Sequence, residues 1–138
     1  MTVSIEPSQT MNLFSVTDPM ELLALHRALM EAKFHPNPES REIQGSPFVA
    51  RIAERVVDAL IQNEISEGRK GTADSWTAWR DAAKHDRCLS VAKQRLAETS
   101  KSIWESMASD ARRAYVRDLL SPLIADDGLI GRLVDEKR

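Results

Sequence analysis

Apolar residues recur along much of this chain at spacings of three and four, the signature of helices with one buried face. Leu22, Leu25, Leu29 and Met30 keep this rhythm, and Leu23 and Phe34 widen the stripe. Asp18 stands before it, Pro19 suits a first helical turn, and Glu21 completes a capping-box arrangement with Asp18. An acidic side chain there accepts from the free amides of the first turn, so a helix is predicted to begin after Asp18. Pro36 and Pro38 end it, because proline lacks an amide hydrogen and pushes its predecessor out of helical backbone. His35 to Gly45 reads as a loop. Ser46-Pro47 then opens a second helix in the same way. Val49, Ile52, Ala53, Val56, Leu60 and Ile61 make its apolar face, and Phe48, Val57 and Ile65 broaden it. Arg51, Glu54, Arg55 and Asp58 fill the other side. Gly68 is a natural C-terminal cap.

Beyond the hinge at Arg69-Lys70-Gly71, Thr72 or Asp74 is expected to cap a helix carrying Trp76, Trp79 and Ala83. Asp86 is expected to cap a longer one, with Leu89, Ala92, Leu96, Thr99, Ile103 and Met107 in register and Trp104 widening the seam. Ser109 or Asp110 caps the next, which holds Tyr115, Val116, Leu119 and Leu120 and ends at Pro122. Asp126-Asp127-Gly128 reads as a turn, and Leu129, Ile130, Leu133 and Val134 as a short last helix. Residues 1–17 show no sustained period and read as an arm; residues 135–138 read as a frayed tail. Strand signals are nearly absent. The predicted architecture is all-α, an irregular bundle of five or six helices in one domain, with a helical hairpin over 18–67 and an aromatic-rich part over 72–134.

Composition narrows the function classes. At 138 residues the chain is long enough to bury a sizeable core without disulfide or metal. Its single cysteine, Cys88, excludes an internal disulfide and suits a reducing compartment. No basic, then apolar, leader opens the chain, and charges interrupt every apolar run, so a cytoplasmic protein with no membrane span is expected. The net charge of −2 is not the footprint of a nucleic-acid binder. Its distribution is uneven, since residues 80–101 hold six Lys/Arg against three Asp/Glu.

Candidate chemistry is sparse. Glu31 and His35 share a helical spacing, as do His85 and Cys88, but neither pair supplies four metal ligands. Ser46 lacks a nucleophile elbow and is sufficiently explained as a cap. Gly68 to Thr72 lacks the leading glycine and the strand of a phosphate-binding loop. No catalytic, cofactor-binding or metal residue is therefore assigned. An enzyme would require a pocket that gathers His26, Glu31, His35 and His85.

The aromatic residues carry the one internal pattern. Trp76 and Trp79 lie three apart, Trp104 falls late in the next predicted long helix, and Tyr115 follows a turn containing Ser109, Asp110, Arg112 and Arg113. This layout, over residues 74–121 at most, resembles that of an HMG box. The resemblance implies minor-groove nucleic-acid binding through Arg80, Lys84, Arg87, Lys93, Arg95, Lys101, Arg112, Arg113 and Arg117. The chain departs from that family in charge, with nine Lys/Arg against seven Asp/Glu over 72–121, and in its entry segment Gly71-Thr72-Ala73-Asp74. The same aromatic residues would serve equally as a bundle core.

The reading that follows is a non-enzymatic helical protein that binds another protein, or itself as a homo-oligomer, through apolar helix faces. Its expected contacts are Phe48, Arg51, Ile52 and Arg55, with Trp76 and Trp79 where exposed. A nucleic-acid binder is the alternative, and an enzyme without a recognisable motif the second. No cofactor is expected.

Overall fold

The N-terminal cap at Asp18 forms as the sequence predicts. In the computed structural model, which describes residues 14–137, its Oδ1 accepts from the amide of Met20 at 2.7 Å and, more weakly, from that of Glu21. Helix α1 runs from Pro19 to Lys33. The expected loop after it contains one short helix, α2, Glu42–Gly45. Ser46 Oγ accepts from the amide of Val49 and opens α3, Pro47–Ser66. Gly68 closes it with φ of +76°, a left-handed conformation that costs glycine little and other residues more.

Helix α4, Lys70–Trp79, starts at Arg69 and uses neither Thr72 nor Asp74 as its cap. A 3-10 turn, Ala82–Lys84, leads into α5, Asp86–Glu98. The long seam predicted to run to Met107 breaks here. Thr99 adopts extended backbone, and Ser100 Oγ accepts from the amide of Ile103 to start a separate helix, α6, Lys101–Ser106. A side-chain acceptor that satisfies a free helix-start amide makes a new start cheaper than continuing the old helix. Helix α7, Ser109–Leu120, follows Ala108 without a side-chain cap and is followed by a cis Ser121–Pro122 bond. Asp126 caps α8, Asp127–Glu136, so the segment expected to fray at Asp135 and Glu136 is helical. An all-α fold is confirmed, with eight α-helices among the described residues rather than five or six.

Two apolar clusters hold the helices together. The larger gathers Val91 and Leu96 of α5, Trp104 of α6, Val116, Leu119 and Leu120 of α7, and Ile130 and Leu133 of α8, with Phe34 reaching in after α1. The smaller joins Leu22 of α1 to Val56 and Leu60 of α3, with Trp76 of α4 packed on it. Trp79 packs on the larger cluster, so the two tryptophans of α4 serve different cores. Helix α1 packs on α3, and α4 packs on α3 as well.

Polar contacts from earlier segments of the chain converge on the C-terminal end of α7 and the residues just after it. A helix leaves its last carbonyls without intrahelical partners. Here Lys33 Nζ donates to Asp118 O at 2.7 Å and Gln44 Nε2 to Leu119 O at 3.3 Å. Beyond the helix end, Arg80 Nε donates to Pro122 O at 3.1 Å, and Ser121 Oγ donates to Glu54 Oε2 of α3 at 2.7 Å. Lys33 and Gln44 are both buried. The Lys33 amine and the Gln44 amide nitrogen each meet an acceptor that the fold would otherwise strand, whereas Gln44 Oε1 is buried without a hydrogen-bond partner.

Candidate partner-binding surfaces

Two surfaces contain the residues singled out from the sequence. The first is the outer arc of α3. At 100° per residue, positions 48, 51, 52, 55 and 62 fall on one side of a helix. The opposite side holds the buried Ala50, Ala53, Val56, Val57 and Leu60. The sequence places Ile52 on the apolar face with these residues and also among the expected contacts. It lies at the margin and is 46% exposed, while Phe48 is 69% exposed. The buried stripe is narrower than the apolar sequence, because the helices packed on α3 leave Phe48 and Ile52 uncovered. The guanidinium of Arg51 sits 5.0 Å over the Phe48 ring. Such a pair orders both side chains at the surface. Arg55 is exposed on the same arc. These α3 positions carry two arginines and no carboxylate.

The second surface lies where α1 faces α4 and the start of α5. His26 is buried between the tryptophans, edge-on to Trp76 at 5.1 Å and to Trp79 at 5.0 Å between ring centroids. Trp76 and Trp79 meet edge-to-face at 5.6 Å, and His85 adds a fourth ring against Trp79. Burial holds the His26 imidazole below its usual pKa, and the nearby Arg27 charge adds to the effect. Two shallow cavities of about 410 and 400 Å³ open on either side of this ring cluster and share His26, Arg27 and Trp79 in their walls. Trp76 and Trp79 are thus half-buried, part core and part groove wall.

The residues named for an enzyme are partly assembled. His26, Glu31 and His85 line one of these cavities together with Cys88. His35 is elsewhere, where its Nδ1 accepts from the amide of Asn37 at 2.9 Å. His85 Nε2 donates to the Trp79 carbonyl, and burial raises the Cys88 thiol pKa, against the pull of Arg87. A thiol so shifted holds less thiolate, the form a nucleophile requires. Among the described residues, no group of three or more His, Cys, Asp or Glu side chains is placed to hold a metal ion.

The basic set proposed for nucleic acid is dispersed and largely engaged within the fold. Arg95 is 3% exposed and donates to Pro36 O at 2.7 Å, holding the loop after α1. The Arg80 side chain is 11% exposed and pairs with Asp58 at 2.6 Å. Arg112 Nε donates to Trp104 O at 3.0 Å, and its guanidinium lies 5.0 Å over that tryptophan ring. Arg113 and Arg117 both approach Asp127, Lys93 approaches Glu136, and Lys101 approaches Glu105. Lys84 and Arg87 are exposed. Trp104, expected late in a long helix in the HMG-like layout, stands on the separate short helix α6.

Neither a protein-family model nor a curated protein or solved structure matches this chain. No helix among the described residues is long and apolar enough to cross a membrane.

The sequence could not have shown Lys33, Gln44 or Arg95 as buried partners of distant backbone. Each looks like an ordinary solvent-facing residue, and the carbonyl it meets lies on a remote segment.

Proposed function

We propose that this protein works by binding another protein through the outer arc of α3. The observation that carries the reading is the exposed Phe48–Arg51 pair, with Ile52 and Arg55 beside it. Aromatic side chains and arginine are the residues that dominate interface energetics. The arc presents apolar side chains beside two arginines, of which Arg51 also acts on the Asp118 carboxylate, so it fits a partner that presents apolar side chains bordered by carboxylates. A symmetric self-association through this arc would bring the arginines of both copies into one small interface, where like charges oppose. The partner is therefore a different protein.

Capture from source-cell lysate tests this, using the tagged chain treated with nuclease beside two surface variants. The expected result is a stoichiometric protein held by the wild type and lost from both Phe48→Ser/Ile52→Ser and Arg51→Glu/Arg55→Glu. All four positions are exposed, so both variants should keep the helical circular dichroism of the parent. Capture that survives both double substitutions would overturn the assignment to α3. Capture that vanishes with nuclease would move the function to nucleic acid, and a doubled mass in sedimentation of the purified chain would move it to self-association.

A further inference from the structure

The groove between α1 and α4 has a chemistry of its own, separate from the α3 arc. Its walls are Leu23, His26 and Arg27 from α1, and Thr72, Ser75, Trp76 and Trp79 from α4. Helical spacing puts them together: Leu23, His26 and Arg27 lie within one turn of α1, while Thr72, Ser75, Trp76 and Trp79 follow at three, four and seven along α4. Its volume of about 410 Å³ lies in the range that holds a small organic molecule.

Three features select an occupant. The two indoles and the imidazole meet edge-to-face, forming a corner in which a further flat ring can stack or pack edge-on. The lining contains one guanidinium, Arg27, and no carboxylate. Arg27 is exposed and makes no ion pair within 4.0 Å among the described residues, so its planar fork of donors remains open to an anion. Thr72 adds a hydroxyl on the opposite wall, whereas Ser75 already donates to Gly71 O at 3.1 Å. The adjoining cavity beyond Trp79 shares Arg27 and adds both Arg87 and Glu31, but only one of the two indoles lines it. The paired indoles beside Arg27 therefore favour the α1–α4 side.

We propose that the groove between α1 and α4 binds a small aromatic carboxylate, its ring against Trp76 and Trp79 and its carboxylate on Arg27. A neutral ring would gain only the aromatic contacts. A small aliphatic acid would gain only the guanidinium, which in a solvent-open site contributes little alone.

The three tryptophans supply the readout. Trp104 is buried in the larger core and does not line the groove, so its indole N–H signal is an internal control. The uniformly 15N-labelled full chain is titrated with 1-naphthoate, and in parallel with 1-naphthalenemethanol as the uncharged counterpart. Tryptophan-to-phenylalanine variants assign the three signals. The expected result is saturable movement of the Trp76 and Trp79 indoles with an unmoved Trp104, at a dissociation constant on the order of 1 mM or tighter. Arg27→Gln should weaken naphthoate about fivefold and leave the alcohol unchanged. Arg27 makes no contact needed by the core, and an unmoved Trp104 signal in the variant verifies its fold. Equal affinity for the acid and the alcohol, or no effect of Arg27→Gln, would overturn recognition of the carboxylate. Movement of all three indoles together, or none at several millimolar ligand, would overturn the site itself.

Discussion

Lys33 Nζ donates to the carbonyl oxygen of Asp118 at 2.7 Å, although 85 residues separate them. Lys33 is 1% exposed, and burial lowers its pKa to about 8, against the opposing pull of the Asp118 and Glu54 carboxylates. Asp118 moves the other way: burial raises its pKa, Glu54 assists, and Lys33 and Arg51 oppose. The cluster thus joins α1, α3 and α7 through a cation whose desolvation is only partly offset.

The linkage has a definite sign. A lysine whose folded pKa lies below its unfolded value binds its proton more weakly when folded. Stability from this group therefore rises as pH climbs from about 8 toward the unfolded value near 10.5. The full change is on the order of 3 kcal/mol. Lys33→Met should remove this alkaline rise. At pH 7 it should destabilise the fold by about 1–3 kcal/mol, since it strands a buried carbonyl and removes a nearby positive charge from Asp118 and Glu54. Urea unfolding of both proteins from pH 7 to 10 checks both effects. Parallel pH profiles would mean that Lys33 has an ordinary pKa.

Trp104→Ala should cost roughly 3–5 kcal/mol, because the ring is 4% exposed within the larger core and its removal leaves a cavity. Asp18→Ala should cost only about 1 kcal/mol, as the loss of a solvent-exposed cap. Chemical denaturation of the two variants measures the contrast. A loss at Trp104 no larger than that at Asp18 would place its ring outside the core.

Local signals explain which parts of this fold were readable beforehand. The starts at Asp18 and Ser46 and the stop at Gly68 depend on residues next to the helix ends they govern, and the structure keeps all three. Asp126 was read as a turn residue and serves as a cap. The break at Thr99 and Ser100 escaped, because apolar periodicity continues across it and masked the Ser100 cap. The paired surface of α3 was half readable. The sequence names Phe48, Arg51, Ile52 and Arg55 together as contacts, but it also puts Phe48 and Ile52 on the apolar face, and their exposure depends on which helices pack against α3. The groove was less readable still, since it is formed by α1 meeting α4 and no sequence period reports that pairing.

Gly45 has no unusual backbone, yet it cannot accept a side chain without movement nearby. A Cβ there would lie 2.7 Å from Cε1 of Tyr115, on the face where α2 packs against α7. Gly45→Ala should therefore destabilise by about 1–3 kcal/mol through overpacking, despite the better intrinsic helix propensity of alanine. The double variant Gly45→Ala/Tyr115→Leu should recover part of that loss by removing the ring. A thermal-melt double-mutant cycle tests the coupling; strict additivity would show that Tyr115 is not the obstacle.

His26 should make the fold acid-sensitive. Its folded pKa is held below 6.5 by burial between Trp76 and Trp79 and by the Arg27 charge, so the folded state disfavours the imidazolium. This group's contribution is complete above the unfolded pKa near 6.5 and is lost as pH falls through the lower folded value. Asp118 acts in the opposite sense in acid, since its raised pKa makes the folded state hold a proton more readily. Comparing wild type with His26→Gln cancels that background, because Asp118 is common to both. The melting temperature of the wild type should fall relative to the variant between pH 7 and 5. As pH falls and the ring between them protonates, the Trp76 and Trp79 indole signals should shift, with Trp104 fixed. Identical pH profiles for the two proteins would show that His26 titrates as a free imidazole.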